Sequence, residues 1–100
     1  MGTKIKYYTP TAAVDGEATI TAWEAEADID TCVVIGRVGE TDTGPIVAGG
    51  TLVQPNMQIF KVLTDDLLDE ATCDTALSDA ATAVGSMEEA SGYPTDEYTA

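Results

Sequence analysis

Polar and apolar positions alternate along several stretches in the first two thirds of the chain. From Thr3 to Thr9, Lys4 and Lys6 alternate with Ile5 and Tyr7, a period of two that predicts a short strand or extended arm ended by Pro10. Asp15-Gly16 is a turn signal. Glu17 to Trp23 alternates around Ile20 and is expected as a strand, whereas Ala22 to Ile29 carries helix formers and is left open. Thr31 to Val38 holds Cys32, Val33, Val34, Ile35 and Val38, the β-branched run of a buried central strand. Gly39 to Pro45 reads as a polar loop. In Ile46 to Val53 the Gly49-Gly50 pair marks either a bulge or a turn. Gln54-Pro55-Asn56-Met57 has the residue types of a β-turn and predicts a hairpin into Gln58 to Leu63. That second arm sets Ile59 and Lys61 on one face and Phe60 and Val62 on the other.

The pattern changes near Thr64, after which Ala, Leu, Asp and Glu dominate. Thr64 is an expected N-cap, and Asp65, Asp66 and Asp69 bring negative charge to a first helical turn. Leu67, Leu68, Ala71, Cys73, Ala76, Leu77, Ala80, Val84 and Met87 form a stripe at helical spacing, with Gly85 as a stop or kink. From Ser91 the periodicity is lost and Pro94 opposes a helix, so residues 91–100 are expected as a tail, ordered only if it docks. The fold class is α+β: a small antiparallel sheet or partial barrel over residues 3–63, with a helix over residues 65–84 packed on it. Residues 1–10 are expected as an arm, 11–90 as one globular domain.

Composition narrows the habitat. Acidic residues number 18 against 4 basic ones, for a net charge of -14, while the apolar share comes mostly from small residues, with one Phe and one Trp. A core that thin has little to set against self-repulsion in dilute buffer. At ~1 M salt the screening length falls to about 3 Å, and the same charge then serves hydration. Such a composition resembles that of proteins from halophilic archaea and their viruses. The resemblance spans the chain and lies in composition alone. It implies a small structural protein of the head-decoration (cement) kind, with protein partners. A surface so negative is not expected to bind nucleic acid or an anionic membrane.

The residues around Met1 to Ala13 lack the apolar segment of a signal peptide, no run approaches the ~20 residues of a bilayer span, and Lys6 stands where a myristoylation signal needs Ser or Thr. The chain is expected to begin at Met1 or Gly2 and to work in a virion assembled in a host cytoplasm, or in the cytoplasm of a halophile.

Chemistry is limited by what is missing. Without His there is no Ser-His or Cys-His pair and no imidazole ligand. Gly36, Gly39 and Gly44 do not make a phosphate-binding loop, and the acidic clusters lack the pattern of a Ca²⁺ loop. No enzyme activity, cofactor or metal is expected. Cys32 and Cys73 are read as free, partly buried thiols, with a single bridge as the alternative. Trp23 is read as a packing residue.

Candidate contact residues are the scarce cationic and aromatic ones. Lys4, Lys6, Tyr7 and Tyr8 lie within five positions, and either dock on an acidic neighbour or form an edge strand whose lysines deter aggregation. Tyr93 and Tyr98 extend the set to the tail. The expected function is a virion subunit such as a capsid decoration or tail protein, packing against copies of itself or a larger capsid protein. The alternatives are a cytoplasmic adaptor of a halophile and a cation-binding protein.

Overall fold

The computed structural model describes residues 2–36, 45–46, 52–53, 58–90 and 97–99. The elements run β1 (Thr3–Pro10), β2 (Val14–Asp15), α1 (Gly16–Glu24), β3 (Ile29–Gly36), β4 (Pro45–Ile46), β5 (Leu52–Val53), β6 (Gln58–Thr64), α2 (Glu70–Val84), β7 (Met87–Glu89) and β8 (Glu97–Thr99). The main sheet has the order β4-β3-β6-β1-β7, and every pairing in it is antiparallel. β8 joins the N-terminal half of β1 on the edge that β7 takes further along, since Ile5 pairs with both Leu63 and Glu97, and Tyr8 with both Phe60 and Glu89. Without the short pieces, β1-α1-β3 and β6-α2-β7 are two β-α-β units, each split by a strand of the other. This is the ferredoxin-like arrangement, a topology that carries no function by itself.

The α+β class with an antiparallel sheet under a C-terminal helix is what the sequence predicts, but a second helix was not expected. Residues 16–24 form α1, where a strand was expected from Glu17 to Trp23. Asp15 caps it by accepting a hydrogen bond from the Ala18 amide at 2.8 Å, and Gly16, Thr19 and Trp23 supply the buried side at helical spacing. The apparent alternation around Ile20 is coincidental, because over seven residues the two periods share too many positions to be separated.

The second helix starts later than Thr64. Its N-cap is Asp69, which accepts from the Thr72 amide at 2.7 Å. Thr64 ends β6 instead, its hydroxyl accepting from the Lys4 amide at 2.9 Å. Residues between are held by the chain start: Leu68 exchanges two backbone hydrogen bonds with Gly2, at 2.6 and 2.9 Å. Leu67 takes a positive φ of 63° and is 72% exposed, so it leaves the expected stripe. Ala71 is exposed and Met87 belongs to β7; Cys73, Ala76, Leu77 and Ala80 are the buried positions. Gly85 caps the helix C-terminus at φ 78°, as expected of a stop.

Three further expectations change. Thr3–Pro10 is an interior strand between β6 and β7/β8, neither a free arm nor an edge. Leu52–Val53 pairs with Val14–Asp15 in a separate two-stranded sheet, so it is not the hairpin partner of β6. Residues 91–96 lie outside the described residues, as do the Gly39–Gly44 loop, Gly49-Gly50 and the 54–57 turn, but the chain end returns as β8. The buried cluster lies on one side of the sheet, where Tyr8, Cys32, Val34, Phe60 and Val62 meet Trp23 of α1 and Ala76, Leu77 and Ala80 of α2.

Candidate interaction surface

The strand that carries most of the expected contact residues turns its lysines inward. Lys4, Lys6 and Tyr8 occupy alternate positions of β1, so they face the helices, and Ile5 and Tyr7 face away. Lys4 is only 2% exposed. Its Nζ pairs with Glu70 Oε2 at 3.4 Å and, more closely, with Asp74 Oδ1, both one turn apart on α2. Lys6 pairs with Glu89 Oε1 of β7 at 2.9 Å. Tyr8 is buried against Trp23 with ring centroids 4.9 Å apart and planes tilted by 40°.

Tyr98 is also engaged internally. Its hydroxyl donates to the Leu68 carbonyl at 2.7 Å, and its pKa is raised by loss of solvent and then by nearby ionisable groups, Cys73 and Asp69 foremost. Tyr93 lies outside the described residues. Of the six expected contact residues, therefore, Lys4, Lys6, Tyr8 and Tyr98 hold the domain together, and Tyr7 alone is described on the sheet face away from the helices.

That other face is the surface the sequence reading missed. Ile5, Leu63 and Thr31 form one row across β1, β6 and β3; Tyr7, Lys61 and Val33 form the next; Ile35 stands beside Ile59 beyond them. Ile5, Tyr7, Val33, Ile35, Lys61 and Leu63 are all half-buried, and Ile59 is fully buried. No Asp or Glu occurs in residues 3–10, 31–35 or 58–64. Acidic residues do occur elsewhere in the sheets: Asp30 near the start of β3, Glu88 of β7 in register with Thr9, and Glu97 of β8 in register with Ile5. A usable signal was present: β6 is apolar on both of its faces, and the helices can cover only one.

The helix side offers a shallow cleft of about 340 Å³ between the α1–β3 turn and α2. Ala71, Ala76 and Ala80 line it, with carboxylates from Glu26, Asp28, Asp69 and Asp79. Asp69 is held below the usual carboxylate range by its side-chain and backbone hydrogen bonds with Thr72. Among the described residues no three potential ligands converge to hold a metal ion. Cys32 and Cys73 are free and buried. Burial, and secondarily Glu24, pushes the Cys32 thiol well above its ordinary value, which leaves it without nucleophilic thiolate at neutral pH. Cys73 Sγ lies 3.3 Å from the Thr64 hydroxyl. No described helix is long and apolar enough to cross a membrane.

The chain matches no family model, no curated protein and no solved structure.

Proposed function

We propose that this chain is a non-enzymatic structural or interaction protein of a high-salt system, in the first place a virion subunit such as a capsid decoration or tail protein. One observation carries the reading: in a molecule of net charge -14, residues 3–10, 31–35 and 58–64 of the central strands hold no carboxylate, and the sheet face away from the helices sets Ile5, Tyr7, Val33 and Leu63 around Lys61. A solvent-only face of so acidic a protein has no need of that segregation, whereas a docking face does, because carboxylates brought together at an interface repel. Depletion of charge and enrichment in aliphatic and aromatic side chains is also how the centre of an interface is composed. The cleft beside α2 supports no second reading, since its carboxylates surround no converging ligand set.

Two measurements test the reading. Thermal melts of the full chain should rise steadily from dilute buffer to ~3 M KCl, where the screening length is below about 3 Å. A melting point unchanged across that range sinks the high-salt premise. Mass spectrometry of particles purified from the producing culture should find the chain at many copies per particle, and its absence from them removes the virion assignment.

A further inference from the structure

We propose that Lys4 and the carboxylates it meets on α2 form an acid-sensitive latch, which holds both chain ends on the domain and releases them together when those carboxylates take up protons. The inference does not depend on the functional reading above. It starts from unequal enclosure. The Lys4 side chain is 2% exposed, while Glu70 and Asp74, which its Nζ reaches, are 56% and 52% exposed. Solvent protons therefore have free access to the anions, whereas the cation between them is cut off from water. Lysine keeps its proton throughout the acid range, so acid leaves the positive charge in place and removes two groups that compensate it. An enclosed ammonium deprived of such partners is drawn toward water, and the strand that carries it has to lift for it to get there.

The segments around Lys4 are tied to one another. Gly2 exchanges two backbone hydrogen bonds with Leu68, Thr3 Oγ1 donates to the Thr64 carbonyl at 2.7 Å, and the Lys4 amide donates to Thr64 Oγ1 at 2.9 Å. β8 pairs with Thr3–Ile5, with Tyr98 in register with Lys4. The Tyr98 hydroxyl donates at 2.7 Å to the same Leu68 carbonyl that accepts from the Gly2 amide at 2.6 Å. One carbonyl thus joins the chain start to the chain end, so lifting β1 at Lys4 loosens both.

The surrounding groups confine the opening to this end of the molecule. On α2, Cys73 lies against Thr64, and its thiol, like the Tyr98 phenol, is neutral in acid. Residues 65–69 bring Asp65, Asp66 and Asp69; protonating them relieves mutual repulsion and, at Asp69, weakens the cap of α2. β8 sets Glu97 in register with Ile5, and β7 sets Glu88 and Glu89 in register with Thr9 and Tyr8, toward the far end of β1. Lys6, paired with Glu89, keeps 19% exposure and so reaches water more readily when its own pair dissolves. Elsewhere acid relieves self-repulsion in a chain of net charge -14. Falling pH therefore favours the body of the domain while working against the end held by Lys4.

The test is amide hydrogen exchange of the full chain, read residue by residue by NMR at about pH 6 and about pH 3 in the same salt, with the intrinsic pH dependence of exchange divided out. Protection at the Lys4 and Leu68 amides and in β8 should fall by about tenfold or more in acid, while the β3–β6 pairing keeps its protection within about threefold. Glu70→Gln with Asp74→Asn should show the loss already at the higher pH and respond no further. Lys4→Met, which removes the enclosed cation, should stay protected at both. Either variant decides if the other fails to fold. Unchanged protection at Lys4 and Leu68, an equal loss throughout the sheet, or a Lys4→Met chain that still opens in acid overturns the latch. Loss at Lys4 with β8 still protected overturns the joint release of the two ends.

Discussion

The two faces of the central sheet are made by the same three strands and are finished in opposite ways. Toward the helices, Tyr8, Val34, Phe60 and Val62 close against Trp23 and Leu77. Away from them, Tyr7, Val33 and Leu63 stay half-buried. Lysine marks the contrast most clearly, because Lys4 is almost wholly enclosed on the helix face whereas Lys61 stands half-buried among apolar side chains on the other. The difference teaches that in this protein polarity does not say which side is inside. A lysine can be interior when a helix offers it carboxylates, and an apolar row can stay half-buried on the side the helices leave.

The largest test breaks the covered face outright. Trp23→Ala should cost about 3–5 kcal/mol, comparable to the whole stability of a small domain, and leave the chain unfolded in a denaturant titration at all but the highest salt. Trp23→Phe should cost far less, partly because the buried Nε1 has no hydrogen-bond partner among the described residues and its removal leaves no acceptor stranded.

Next comes the charge pair on that face, which behaves asymmetrically. Glu70 and Asp74 are 56% and 52% exposed while Lys4 is 2% exposed. Removing both carboxylates as Glu70→Gln with Asp74→Asn takes two ion-pair partners from a buried ammonium and should cost about 2 kcal/mol, the usual several discounted because water reaches the acidic side. Lys4→Met removes the buried charge and leaves two solvated carboxylates, so it should be close to neutral. Equal losses for the two variants in a urea titration would show that Lys4 is not enclosed in solution.

A smaller effect follows from Cys32. Its pKa is higher folded than unfolded, so the stabilisation is complete below the unfolded value and is lost as pH rises through and above it. At a pH one unit above the ordinary thiol value of about 8.5 the loss should be near 1.4 kcal/mol, and Cys32→Val should abolish that part of the alkaline decline. Smaller again is Asp69→Ala, which removes the α2 cap and should lower the melting point by a few degrees. Because the Asp69 pKa is depressed in the folded state, its contribution is present above the unfolded carboxylate value and fades as pH falls through the folded one. The smallest effect is expected on the face away from the helices. Lys61→Met should move the stability of the monomer by less than about 0.5 kcal/mol, against the larger penalty for taking Glu70 and Asp74 from Lys4.

Much of the architecture was legible because its signals are local. The alternation in residues 58–63, the β-branched run from Thr31 and the Gly85 stop each depend on neighbours within a few positions, and each appears in the folded chain. The absence of His and the weight of acidic residues likewise needed no structure. What the folded chain alone decided was orientation and partnership: that Lys4, Lys6 and Tyr8 turn inward, that Gly16–Glu24 is helical, that the second helix waits for Asp69, and that the lysine on the apolar row away from the helices is Lys61. Alternation guarantees that a strand has two unlike sides without saying which is covered. That choice depends on contacts made sixty or more positions apart, such as Lys4 with Asp74, and no short window of sequence contains them.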